Sequence, residues 1–250
     1  MKKIGSLLAT VVVNFPLEDV RPEQGISFQS LINVISSRYS FSSRPGLARG
    51  LIGPGNAVPS SGGGLVFPLF SGIAAPPATV PTSPLTFRNG VFESIAIPQL
   101  DVNIEDPVGL SVQAVSTDFG DRVMDDILLA LESELGFKRV SASKRRLYAS
   151  NVVVEFSKDV AAGIEAIDRM RSLVSAAISP DDSLRYEIER ITFSADASLA
   201  PAFQAQHLIG FVLERRANHP YSENRYFSSA PLKTEDHFAV LDRIASIFET

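Results

Sequence analysis

The chain has no cysteine and only three histidines among its 250 residues. Without cysteine it cannot form disulfides, use a thiolate nucleophile, or build a zinc ribbon or an iron–sulfur cluster. None of His207, His219 and His237 has a second histidine three or four positions away, which is the spacing of helical metal sites. The sequence therefore predicts no metal site and no cofactor.

Motifs for phosphate binding and acyl transfer are also missing. Glycines cluster at 50–55 and 62–64, but neither cluster forms a G-x-G-x-x-G turn into a helix or a P-loop with its lysine. None of the serines lies in a G-x-S-x-G nucleophile elbow. These glycines are more typical of turns, so the motifs favour no known catalytic chemistry.

Charged side chains are absent from residue 50 to residue 87, a stretch we call the uncharged arm. Its prolines interrupt every window of about 20 residues that a transmembrane helix would need. Disordered segments are usually poor in large apolar side chains, whereas the arm contains many. We expect an irregular segment that packs on the chain's own domain or on a neighbouring subunit. The predicted interface residues are Leu65, Val66, Phe67, Leu69, Phe70 and Ile73.

Charge is distributed unevenly along the chain. The net charge of -5 argues against a general nucleic-acid binder, because such proteins are normally basic. Residues 1–100 carry about +3 and residues 101–250 about -8 by the same count of side chains. We therefore predict two parts. Residues 1–100 hold an N-terminal strand, a short helix, the uncharged arm and a hairpin, and residues 101–250 form an α+β domain.

The N-terminus begins with two lysines and a mostly apolar run, which weakly suggests a signal peptide. No small-x-small cleavage site follows that run. We interpret 4–15 instead as a buried strand rich in β-branched residues, and we expect a cytoplasmic protein.

Local signals along the chain predict an α+β fold. A short helix is expected after Ser27 and a two-residue hairpin turn at Asn89-Gly90, because both residues tolerate positive φ. A longer helix should begin at Thr117 or Asp118 and end at Gly136. Helices then alternate with strands that are polar on one face. The predicted architecture is a two-layer sandwich of mainly antiparallel strands, with the helices on one face.

Two later helices carry apolar residues at helical spacing, and we predict that each stripe is buried. The first stripe consists of Ile164, Ile167, Met170, Leu173, Val174 and Ile178. The second, in the last helix, consists of Phe238, Leu241, Ile244, Ile247 and Phe248. His237 lies beside Glu235 and Asp236 in the first turn of that helix, and we expect it to be exposed.

The richest polar stretch is 214–226, which includes Glu214, Arg216, His219 and Glu223. A histidine near carboxylates and arginines is typical of many hydrolytic and phosphotransfer sites. The same composition is typical of a strand end and an ordinary loop. These four residues are the candidate catalytic groups if the protein is an enzyme.

A basic cluster surrounds a predicted turn between two strands. Its residues are Lys138, Arg139, Lys144, Arg145 and Arg146. Such a cluster can bind an anion or an acidic protein partner, and it is also typical of a solvated turn. Nucleic-acid sites usually add stacking aromatic residues, and only Tyr148 is near.

The first hypothesis is a non-enzymatic subunit of a homo- or hetero-oligomeric protein assembly, with the uncharged arm in its interface. The alternative is an enzyme or ligand-binding protein that uses the 214–226 stretch. A third hypothesis is peripheral membrane contact through 66–70, although no basic ring surrounds those residues.

Overall fold

The computed structural model describes residues 1–16, 28–45, 84–103, 108–138, 140, 146–160, 165–178, 187–194 and 210–249. Its strands are β1 (Lys2–Phe15), β2 (Leu85–Phe92), β3 (Ile95–Asn103), β4 (Val108–Ala114), β5 (Arg146–Glu155), β6 (Arg190–Phe193), β7 (Phe211–Arg215) and β8 (Arg225–Ala230). Its helices are α1 (Phe28–Tyr39), α2 (Thr117–Leu135), α3 (Glu165–Ile178) and α4 (Thr234–Glu249).

The eight strands form one antiparallel sheet in the order β2-β3-β4-β1-β5-β8-β7-β6. The N-terminal strand β1 lies inside this sheet and pairs with β4 on one side and β5 on the other. Its β-branched run is buried because neighbouring strands and helices cover it, with Val11 and Val13 fully enclosed. The predicted strand is confirmed and is buried from Ala9 to Val13, but Ile4 and Leu7 are 43% and 49% exposed, so the predicted burial is wrong for its first half.

Helices α1, α2 and α4 pack on one face of the sheet. The core under α1 and α2 includes Val11 and Val13 of β1 together with Ile127 and Leu128 of α2. A second core cluster lies between α4 and the strands β5, β7 and β8. Since a sheet must bury one apolar face, this two-layer arrangement confirms the predicted α+β sandwich.

The change in charge near residue 100 coincides with no break in the sheet. Strand β3 spans that position, and β1 pairs with strands from residues beyond it. The division into 1–100 and 101–250 stays a prediction about composition. Most of the uncharged arm lies outside the described residues, but its last residue, Phe87, is buried in the core.

The turn predicted at Asn89-Gly90 is wrong, because β2 continues through both residues to Phe92. The turn lies instead at Glu93 and Ser94, whose φ values of 49° and 66° are the positive angles that a type I′ hairpin requires. Gly90 serves a different purpose. A Cβ at that position would lie 2.4 Å from the Phe41 ring, so glycine allows the ring to pack against the strand.

Both ends of α2 are closed by local hydrogen bonds. The Ser116 hydroxyl accepts from the Phe119 amide at 3.2 Å, one residue before the predicted cap at Thr117 or Asp118. Gly136 has the left-handed conformation predicted for the residue after the helix, with φ of 70°. Thr117 contributes to a longer-range contact, because its hydroxyl and that of Thr234 accept from each other's backbone amides.

Helix α2 approaches β1 closely at Gly120, and this contact gives a testable prediction. Glycine-to-alanine changes inside a helix normally stabilise it by about 1 kcal/mol. Here a Cβ would lie 2.7 Å from the Val11 Cγ2 atom, so Gly120→Ala should lower the free energy of unfolding by about 1–3 kcal/mol. Urea denaturation measures the change. In a Val11→Ala background the loss should shrink, and stabilisation by Gly120→Ala in the wild type would contradict this packing.

Candidate interaction surface

Helix α3 turns its apolar stripe toward solvent, so the predicted burial of that stripe is wrong. Its exposed apolar side chains are Met170 at 65%, Leu173 at 71%, Val174 at 42% and Ile178 at 56%. Ile167 is half-buried, and Ile164 lies outside the described residues. Monomeric proteins commonly expose single apolar residues but rarely a continuous set. The stripe is therefore the most unusual surface among the described residues.

A buried ion pair holds one side of α3 against the rest of the chain. Arg171 is buried and binds both Asp168, at 3.1 Å, and Glu187, which precedes β6. A buried guanidinium needs such partners, because removing an unpaired charge from water costs several kcal/mol. Arg171 therefore holds one side of the helix inward. Met170 and Leu173 point away from that side, whereas Val174 and Ile178, three and seven residues after Arg171, lie on nearly the same side of the helix and are exposed toward its C-terminal end. Helical spacing alone reveals a stripe but not what covers it.

Strand β6 adds a second unusual feature at the same end of the molecule. It is the last strand of the sheet, and Glu187, three residues before it, holds α3 through Arg171. Phe193 at its end is 61% exposed, although its ring centroid lies 6.1 Å from that of Phe211. We call the apolar stripe of α3 and the outer edge of β6 the α3–β6 surface.

The opposite edge of the sheet is covered. The backbones of Ser43 and Arg88 exchange hydrogen bonds of 3.0 and 3.2 Å, and the Ser42 amide donates to the Asn89 carbonyl at 3.3 Å. This segment after α1 therefore shields the outer edge of β2. Since unpaired strand edges attract further strands, the two ends of the sheet differ in their capacity to associate.

In the 214–226 stretch, the four candidate catalytic residues are partly brought together. His219 Nδ1 lies 3.0 Å from a Glu223 carboxylate oxygen and 3.2 Å from Arg225 Nη1. Glu214 instead lies on β7 and pairs with Arg190 at 3.8 Å. The Arg216 amide donates to the Arg225 carbonyl. Catalysis at these residues stays a prediction.

Arg215 is the buried centre of that stretch, although it is not among the four candidate catalytic residues. Its Nη2 atom lies 2.7 Å from Asp159 Oδ1, and its other nitrogens donate to the carbonyls of Ile188 and Tyr221. The guanidinium also lies over the rings of Tyr221 and Tyr226. These contacts join β7, β8 and the segment before β6, which indicates a structural role.

Tyr226 shares the same carboxylate. Its hydroxyl donates to Asp159 Oδ1 at 3.0 Å. Burial and the nearby Asp159 charge both raise the pKa of Tyr226 above its ordinary value. The phenol therefore stays protonated and acts as a hydrogen-bond donor, so this cluster offers no basic tyrosinate for proton transfer.

Within the basic cluster, the structure describes Lys138 and Arg146. Arg146 binds two carboxylates of α2, Asp121 at 2.7 Å and also Asp125. Lys233 reaches the other Asp121 oxygen at 3.1 Å. The acidic partner of Arg146 is therefore this chain's own helix. Lys138 is exposed, and the predictions for Arg139, Lys144 and Arg145 fall outside the described residues.

Asp126 joins α1 to α2. It accepts two hydrogen bonds of 2.6 Å from Arg38 and one of 2.5 Å from the buried Tyr39 hydroxyl. The Arg38 hydrogen bonds lower the pKa of Asp126 below its ordinary value. Its partners lie nearly 90 residues away, so local sequence carries no signal for this clamp.

His237 is fully buried, and the prediction that it is exposed is wrong. Its Nδ1 lies 2.7 Å from the Ser150 hydroxyl and its Nε2 2.8 Å from the Ser228 hydroxyl. Ser228 donates its own proton to the Val212 carbonyl at 2.7 Å, so it must accept from Nε2–H. Desolvation lowers the pKa of His237 to about 4. The imidazole is neutral and serves to hold α4 on the sheet.

The predicted burial of the α4 stripe is confirmed only in part. Leu241 is buried, and Phe238 and Ile244 pack against the same core. Ile247 is 68% exposed, so that part of the prediction is wrong. The side chain of Phe248 lies outside the described residues.

Comparison with family models, curated proteins and solved structures finds no match for this chain. Among the described residues, no group of three or more His, Cys, Asp or Glu side chains is arranged to hold a metal ion. None of the helices within the described ranges combines the length and apolar character needed to cross a membrane.

Proposed function

We propose that the protein is a non-enzymatic subunit of a protein assembly that binds its partner through the α3–β6 surface. The exposed apolar stripe of α3, with Leu173 at 71% exposure, is the observation that carries the proposal. Covering large apolar side chains provides most of the favourable free energy of protein association. Exposed stripes of this kind mark interaction sites more often than ordinary surface.

The contacts of the polar clusters favour a structural role for these residues over a catalytic one. Arg215, Arg146 and Asp126 each bind oppositely charged partners within the chain. Catalytic sites instead keep polar groups available to a substrate, with pKa values close to the working pH. His237 is enclosed and protonates only near pH 4. The alternative of an enzyme using 214–226 stays a prediction: His219 contacts Glu223, but Glu214 pairs with Arg190 instead.

The uncharged arm belongs to this proposal as a second interface, with 65–73 as its centre. Its support is the sequence, where many apolar side chains occur without charge. We place the assembly in the cytoplasm, and peripheral membrane contact through 66–70 is the weaker alternative. Deletion of residues 50–84 tests the interface role of the arm: loss of association supports an interface, and unchanged folding and association contradict it.

The size of the native particle in cell extract tests the proposal. The wild-type chain should migrate well above its mass of 27.0 kDa. The double variant Met170→Glu/Leu173→Glu should migrate as a monomer, because burying two carboxylates in an interface costs several kcal/mol. Both positions are exposed, so the variant should keep its fold, and circular dichroism checks this.

The matched control is Leu129→Glu on α2, where the side chain is 56% exposed outside the α3–β6 surface. This variant should stay in the large particle. A wild-type chain that migrates as a monomer in extract would contradict the proposed function. Equal loss of the particle in the control and the stripe variant would show that charge, not the α3 stripe, causes the loss.

A further inference from the structure

We propose that the partner at the α3–β6 surface is a second copy of this chain, joined by antiparallel pairing of the two β6 strands about a twofold axis at Thr192. This inference rests on the proposed function and names its partner. A twofold axis perpendicular to the sheet would give one continuous sheet of both copies. Such an interface is isologous, so the same residues contribute from each side.

Among the described residues, the two outer edges of the sheet differ in what covers them. The backbone of Ser42 and Ser43 covers the outer edge of β2. Among the described strands, β6 has β7 as its single neighbour. Natural proteins usually protect such an edge with charge, proline or a covering segment. The four-residue β6 contains no proline and a single charge, Arg190, so it remains suited to strand pairing.

The side chains of β6 are divided between the two faces of the sheet. Ile191 packs against the core cluster beneath α4, and Phe193 contacts Phe211 on the same face. Arg190 and Thr192 therefore point to the other face, since side chains alternate along a strand. Directly opposed residues of an antiparallel pair point to the same face. An axis at a residue keeps these faces matched between the two copies.

The sequence of β6 is self-complementary about Thr192. With the axis there, Thr192 faces its own copy, Ile191 faces Phe193, and Arg190 faces Ser194 of the second chain. Threonine pairs and aromatic–β-branched pairs are favourable cross-strand neighbours, and like charges do not meet. Ile191 of the second chain would also cover the exposed ring of Phe193. An axis at Ile191 instead would place Phe193 opposite Glu189, which is less favourable.

The charge pattern of α3 agrees with a second copy as the occupant. The helix has no charged residue from Ser172 to Ile178, so its exposed C-terminal half offers neither acid nor base to an oppositely charged partner. An equally neutral apolar surface complements it best. Because Arg171 holds α3 to the segment before β6, pairing of the β6 strands brings both α3 helices to the same interface.

A single cysteine tests the axis directly. The wild type has none, so Thr192→Cys gives a protein with one thiol. In the proposed dimer the two residues at 192 have Cα atoms about 4.5–5.5 Å apart, within the range of a disulfide. Mild oxidation of the purified full-length variant should give mostly cross-linked dimer on a non-reducing gel. Sedimentation of the purified wild type should show a dimer.

The matched control is Arg190→Cys, on the same strand and the same face. With the axis at Thr192, Arg190 faces Ser194 of the second chain. The Arg190 of that chain lies four residues further along the strand, roughly 13 Å away, which is too far for a disulfide. It should cross-link many-fold less than Thr192→Cys. Equal cross-linking at both positions, or a purified wild type that is monomeric, would overturn the second-copy inference. A monomeric purified chain that still enters a large particle in extract would leave the proposed function intact.

Discussion

Replacing Arg215 with methionine should lower the free energy of unfolding by about 3 kcal/mol, within the range observed when one partner of a buried ion pair is removed. The side chain is buried and binds Asp159 at 2.7 Å, and it donates to two backbone carbonyls. Methionine fills a similar volume but leaves the carboxylate and both carbonyls without this donor. Tyr226 still donates to Asp159, which limits the loss.

Chemical denaturation of the wild type and Arg215→Met measures this loss. Arg215→Lys should recover only part of it, because lysine cannot reproduce the forked hydrogen bonds or the stacking on Tyr221 and Tyr226. The control is Arg190→Met, which removes an exposed arginine 3.8 Å from Glu214 and should cost less than about 1 kcal/mol. Similar losses at positions 190 and 215 would contradict the central role of Arg215.

Acid should destabilise the protein through His237. Folding lowers the pKa of this side chain from 6.5 to about 4, so between these values the unfolded state binds a proton that the folded state excludes. Stability is therefore fully present above pH 6.5 and falls as the pH decreases toward 4. By linkage, the total contribution is about 3 kcal/mol. The physical cause is desolvation of the imidazole between Ser150 and Ser228.

The free energy of unfolding of wild type and His237→Gln, measured from pH 7 to pH 4, isolates this effect. Glutamine is polar and neutral, so it can still hydrogen-bond within the cavity without titrating. The variant should be less stable near neutral pH, but its stability should fall less steeply below pH 6.5. Carboxylates such as Asp126 titrate in both proteins, so they do not contribute to the difference. Parallel curves would show that His237 does not titrate as proposed.

Periodicity and cap signals predicted much of the fold. Local patterns predicted the β1 strand and the end of α2 at Gly136, because each depends on neighbours in sequence. The alternation of helices and strands predicted the α+β layering. The turn predicted at Asn89-Gly90 was wrong because of a tertiary contact. The Phe41 ring packs where a Cβ at position 90 would lie, so the dipeptide occurs within a strand and not in the turn.

The candidate site was less accessible to sequence reasoning. The α3 stripe was visible, but whether a stripe is covered depends on long-range packing such as the pairing of Arg171 with Glu187, which local sequence does not specify. His237 could have been found, since it precedes the buried Leu241 by four residues and Ala245 by eight, on one helical face. Proximity to Glu235 and Asp236 wrongly suggested solvent. Long-range pairing decided both outcomes.

Oxidative footprinting of Met170 tests most directly whether the α3 stripe is an interface. Of the three methionines, Met170 is 65% exposed on the stripe, and Met124 is fully buried in the core and serves as an internal reference. In the native particle, peroxide should oxidise Met170 slowly in the wild type and rapidly in Leu173→Glu, while Met124 stays protected in both. Rapid oxidation of Met170 in the wild-type particle would show an uncovered stripe and contradict the account.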